Sequence, residues 1–239
     1  QIDSLSVEAG EAKLLGHVET FGPERQAWLA TIERYENAGN DLHGTVELRP
    51  DGGVYAELAG EQFDISGIVD FDASSDDGGT SAKLPPISIR ASIDDLRWGP
   101  DRRVADAQVL VKFADEHIQG LVLDGSLGRD AVLSIRYLPG ADGQVLRVAA
   151  DDFGATLGMS PSRSRVTGGA LLIRGTRRAP DAPLEGDFFA SNFTLARAPL
   201  LARVLQVASL TGIGDALSRS GLSFDAFEGK FSYSNGQVT

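Results

Sequence analysis

The sequence predicts a mainly β protein: a long antiparallel meander of short strands with one apolar α-helix near the C-terminus. Three observations carry that reading. Apolar and polar residues alternate with period two through most of the 239 residues, which places successive side chains on opposite faces of a sheet. Glycine- and aspartate-rich punctuation separates the alternating runs, as hairpin loops require. One stretch alone, near residue 200, repeats its apolar residues at helical spacing.

Taken in order, residues 14–20, 26–36, 42–49, 54–59 and 62–66 read as short strands. Pro50-Asp-Gly-Gly53 turns between two of them, and Gly60-Glu61 reads as another tight connection. Residues 70–81 break the pattern: the stretch is acidic, small and glycine-containing, and reads as a solvated loop. Pro85-Pro86 restarts an extended segment. In Ile87-Ser-Ile89-Arg-Ala91-Ser-Ile93 the odd positions are apolar and the even ones polar. Ala107, Val109, Val111 and Phe113 repeat this, as do Leu133, Ile135 and Tyr137. Residues 145–150, 169–174, 187–194 and 222–233 complete the strands, the last with a bend expected near Glu228-Gly229. Pro139-Gly-Ala-Asp-Gly143 is the turn before residue 145.

The helix is read at 199–211. Pro199 suits a first helical turn, and Leu200, Leu201, Val204, Leu205 and Ala208 recur at helical spacing. Val207 and Leu210 widen the stripe until little polar face remains, so such a helix must be covered by sheet, partner or lipid. The organisation expected is a β-unit over 1–70, an acidic linker over 71–86, and a second β-unit over 87–239.

The formal net charge is −12, which repels nucleic-acid phosphates and anionic membrane surfaces and argues against electrostatic attachment to either, so no nucleic-acid partner is expected. Cysteine is absent, excluding disulfides, thiolate metal sites and a cysteine nucleophile. The longest apolar run is interrupted by Arg203 and Gln206 and is too short to span a bilayer. Residue 1 is Gln and no signal-peptide pattern opens the chain, so the expectation is a processed or excised segment of a longer polypeptide.

No catalytic constellation stands out. His17, His43 and His117 are isolated from one another in sequence and fit no metal-ligand spacing. Asp70, Asp72, Ser74 and Asp76 imitate a calcium loop, but Ser75 stands at the glycine position and Ser81 at the final glutamate position. Gly212-Ile-Gly214 lacks the third glycine of a dinucleotide fingerprint and follows a helix. Asn192-Phe-Thr194 is a formal glycosylation sequon inside a strand-like stretch. Asp151-Asp152 has no placed partner for acid–base work. The expectation is no enzyme, no metal and no cofactor.

Two phrases carry a resemblance. The first is Asp151-Asp-Phe-Gly-Ala-Thr-Leu-Gly158 with Thr167-Gly-Gly-Ala-Leu-Leu-Ile-Arg-Gly175. The second runs from Gly186-Asp-Phe-Phe-Ala-Ser-Asn-Phe-Thr-Leu195 through the apolar stretch to Gly221-Leu-Ser-Phe-Asp-Ala-Phe-Glu-Gly-Lys-Phe231. Together they resemble the C-terminal region of the large AsmA-like proteins of Gram-negative bacteria, the group that includes YhdP and TamB. The specific likeness covers about residues 150–235, with residues 84–150 fitting the strand grammar more loosely. The resemblance implies a sheet curled into a groove, taco-like, whose apolar concave face conducts phospholipid between inner and outer membrane. It also implies a periplasmic location with the intact protein anchored in the inner membrane. It carries no catalytic residues.

On that basis the candidate lipid-binding residues are Ile87, Ile89, Ile93, Val109, Val111, Phe113, Leu133, Ile135, Leu171, Ile173, Phe189 and Phe193, with Leu200, Leu201, Val204 and Leu205 on the helix. The partners expected are phospholipid acyl chains, the remainder of the same polypeptide and other envelope proteins. An assembly module using exposed strand edges and the apolar helix is the competing reading. The alternation itself serves equally a sheet closed on its own core.

Overall fold

The computed structural model describes residues 2–21, 27–66, 84–99, 102–128, 131–158, 166–195, 222–234 and 237–239. They form one sheet of 15 strands. The first half holds β1 (Ile2–Ala9), β2 (Ala12–Phe21), β3 (Ala27–Asn37), β4 (Asn40–Leu48) and β5 (Val54–Asp64). Then come β6 (Ile87–Arg97), β7 (Arg103–Ala114), β8 (His117–Leu127), β9 (Ala131–Gly140) and β10 (Gly143–Ala150). A short helix, α1 (Phe153–Gly158), precedes β11 (Val166–Thr167), β12 (Ala170–Arg177), β13 (Leu184–Leu195), β14 (Leu222–Ser234) and β15 (Gln237–Val238).

Spatial order follows chain order, and the sheet is curled without closing, so among the described residues β1 and β15 are its edges. β11 and β12 both pair with β13 and act as one strand interrupted at Gly168 and Gly169. Both glycines have left-handed φ, 64° and 85°, which side chains resist. Neighbours are antiparallel, as a meander requires, with one exception. β5 and β6 run parallel and stay in register from Val54↔Ile87 to Asp64↔Arg97. The two β-units read from the sequence are therefore halves of one sheet, joined along this seam.

Several expectations change. Gly60-Glu61 is not a turn: β5 runs straight through it. The register steps from Leu42↔Gly60 to Asp41↔Gln62, so Glu61 is absorbed as a bulge residue. Likewise β14 continues unbroken through Glu228-Gly229. β1 and β8 are strands that the alternation did not announce. The predicted 199–211 helix and nearly all of the 71–86 linker lie outside the described residues. The described helix α1 stands where no helix was expected. It is capped by Asp152, whose Oδ1 accepts the Ala155 N–H at 2.8 Å.

Candidate functional site

Because paired residues in a ladder share a face, the register sorts every side chain to one of two sides. One row crosses the sheet as Leu58, Ala91, Val109, Leu123, Ile135, Val148, Ile173 and Phe188. The next row on the same face reads Ala56, Ile89, Val111, Leu121, Tyr137 and Leu146, continuing into Gly175 and Gly186. From β5 to β13 neither row contains a charged residue. We call this the inner face.

The inner face has two zones. Towards the end where Trp98 and α1 lie it is closed: Ile93 is 1% exposed, and Val104 and Leu133 are 0% exposed. Ala107, Ala150, Leu171, Ala190 and Phe193 join them in one core cluster, with Ile65, Trp98 and Phe153 packed on it. Phe193 anchors this cap by stacking on Phe224, centroids 5.0 Å apart, and meeting Phe153 edge-on at 5.2 Å. Away from the cap most of the two rows is half-buried, with Ala56, Ala91, Val148 and Gly175 buried among them. Leu58, Val109, Leu123, Ile135, Leu146 and Ile173 pack against the core cluster from this side, and we call this stretch of the inner face the trough.

Polar groups reappear at the far end of the trough. Gln144 and Arg177 face each other across β10 and β12, and Gln144 Nε2 donates to the Gln119 carbonyl at 3.3 Å. Among the described residues Gln144 Oε1 and Arg177 Nε are buried without a hydrogen-bond partner, an arrangement that folded chains ordinarily avoid.

Twelve of the sixteen residues picked from sequence fall within the described chain, and eleven of them share the inner face. Ile93, Leu133, Leu171 and Phe193 belong to the closed zone. Ile87, Ile89, Val109, Val111, Phe113, Ile135 and Ile173 are half-buried. Phe189 does not join them: it pairs with Leu172 on the opposite face and is 42% exposed. The cause is Asn192, whose left-handed φ of 54° turns the strand over by one position. Phe193 therefore points inward together with Phe188 and Ala190, an odd residue with even ones. Asp106 (φ 52°) does the same for Val104 and Ala107. Leu200, Leu201, Val204 and Leu205 lie outside the described residues.

The sequence reading passed over Phe188, Leu121, Leu123, Leu146 and Val148. Phe188 lies over Gly229, where an added Cβ would come within 2.7 Å of the ring. An aromatic on one strand facing a glycine on the next is a signal that pairing reveals and a single strand does not.

The outer face is polar and charged, with Arg136 held by Asp124 through two 2.7 Å hydrogen bonds. The Arg136 guanidinium, helped by the Ser134 hydroxyl, keeps the Asp124 carboxyl below its ordinary value of 3.8 despite partial desolvation. A depressed folded pKa gives stability that is present above the ordinary value and is lost as pH falls through the folded one. Both partners are over a third exposed, so the pair contributes about 1 kcal/mol at most. R136Q is expected to return Asp124 towards pH 3.8 in a carboxyl-carbon NMR titration; an unmoved midpoint would contradict the assignment.

Among the described residues no group of three His, Asp or Glu side chains is placed to hold a metal ion, and no helix is long and apolar enough to cross a membrane. Comparison of the chain with protein-family models, curated proteins and solved structures finds no match.

Proposed function

We propose that the chain binds phospholipid along the inner face of its sheet, as a segment of an AsmA-like protein of the Gram-negative periplasm. In this reading it conducts lipid between the inner and outer membranes. The observation that carries the reading is the pair of uncharged apolar rows, mostly half-buried, in a sheet that curls without closing. Burying acyl chain against such a surface yields about 0.8 kcal/mol per CH₂ and needs no polar contact. At about 4.8 Å per strand the eight strands from β5 to β13 that carry the rows span roughly 35 Å, enough to lay an extended acyl chain across them. The cap formed by Trp98, α1 and Phe193 closes one side of the rows, and Gln144 with Arg177 offers polar atoms on the other.

The test is purification without detergent, organic extraction and mass spectrometry of the extract. Co-purifying phospholipid near one equivalent or more per chain is expected. A fully folded protein that emerges free of lipid, and stays free when offered vesicles, rules the proposal out.

The edges favour a second reading, assembly with another envelope protein. Among the described residues β1 presents unpaired backbone groups together with exposed Ile2 and Val7, the surface that strand addition uses. Concentration-dependent association in sedimentation, abolished by a proline within β1, would favour it.

A further inference from the structure

We propose that Arg136, Arg147 and Arg174, on the face opposite the trough, form a binding site for a phosphate oxyanion. The three are in direct register on consecutive strands of the sheet, Arg136↔Arg147 and Arg147↔Arg174. Like charges placed directly opposite one another in a ladder are destabilising, and here two such pairs are adjacent in a chain of net charge −12. Arg136 is pinned by Asp124. Arg147 and Arg174 are exposed and make no ion pair among the described residues. The only carboxylate directly opposite either of them is Asp187, across from Arg174, and it is not within ion-pair distance.

The same three arginines line one concavity of about 540 Å³, together with the Ser134 side chain and an apolar floor of Ala149 and Leu172. Neighbouring strands are about 4.8 Å apart, so guanidinium groups fixed on three of them can donate to different oxygens of one tetrahedral anion. A bound dianion would relieve the repulsion that the register imposes. Two sources supply this chemistry: free phosphate and a phosphorylated lipid headgroup. Beside the floor, Leu172 and Phe189 are opposed and exposed, an apolar flank that favours the headgroup. The site does not depend on the trough, since the sheet separates the two faces.

The full chain is titrated with inorganic phosphate while the arginine Nε–H resonances are followed. In a second arm it is sedimented with vesicles of phosphatidylglycerol in phosphatidylcholine, and with phosphatidylcholine alone. R147Q, at an exposed position, is carried through both arms, with circular dichroism reporting its fold. Expected is a shift of the Arg147 and Arg174 resonances, or retention on anionic vesicles only, with R147Q weaker by about tenfold or more, as for a lost charge-assisted hydrogen bond. Response to phosphate identifies the free anion as sufficient; response only to anionic vesicles identifies the headgroup. Binding in neither arm, or R147Q binding like the parent, overturns the proposal.

Discussion

Replacing Ile173 by glutamate is expected to lower co-purified phospholipid by about tenfold or more while the sheet stays folded. Ile173 stands mid-row between Val148 and Phe188, half-buried in a surface without a charged neighbour. A carboxylate there keeps its hydration only by holding acyl chain away, and burying it unpaired costs several kcal/mol. Because Ile173 is partly exposed, water reaches the new charge in the lipid-free protein and folding is spared. Lipid extraction reads the first half of this result and thermal melting by circular dichroism the second. Unchanged lipid would remove the trough as the binding surface; global unfolding would mean that Ile173 belongs to a closed core.

The second large effect is on stability and depends on position along one strand. Leu133→Ala should destabilise the protein by about 2–5 kcal/mol, the range for a large-to-small change at a fully packed site. Leu133 is 0% exposed and sits in the capped zone. Ile135→Ala, two residues along β9 on the same face, should cost less than half as much, because Ile135 is only half-buried. Urea unfolding of both variants measures the contrast. Equal losses would mean that the inner face is uniformly buried and has no open zone.

The alternation of β6, β7 and β9 was legible because most inward residues are apolar and most outward ones polar. That local contrast needs no knowledge of partners. It failed where the contrast fails. In β8 the run Leu121-Val122-Leu123 is apolar on both sides, since outward Val122 meets outward Leu110, and no period shows. Phe189 was misplaced because a single left-handed residue, Asn192, shifts the phase, and φ cannot be read from a strand's composition. The parallel seam between β5 and β6 joins residues separated by the whole 65–86 stretch, so nothing local marks it. The arginine ladder belongs to the same class. Arg136, Arg147 and Arg174 are scattered in sequence and become neighbours only once three strands are in register. The face of the trough was thus readable strand by strand, while its cap, its polar end and the chemistry on its back came from pairing.

The parallel seam also bears on the order of folding. Most antiparallel pairs on either side can zip from a short turn, at the microsecond pace of hairpins; β10 with β12 and β13 with β14, which have longer connections, are the exceptions. The seam cannot, because β6 starts beside the first residue of β5 and the chain must first travel back the length of an 11-residue strand, about 36 Å. Closing that loop costs entropy that a hairpin turn does not. Two hairpin stacks, one ending at β5 and one beginning at β6, should therefore assemble independently and dock edge to edge last. The same geometry makes 65–86 the natural place to divide the polypeptide, since a split protein severed there loses covalent continuity without breaking a hairpin.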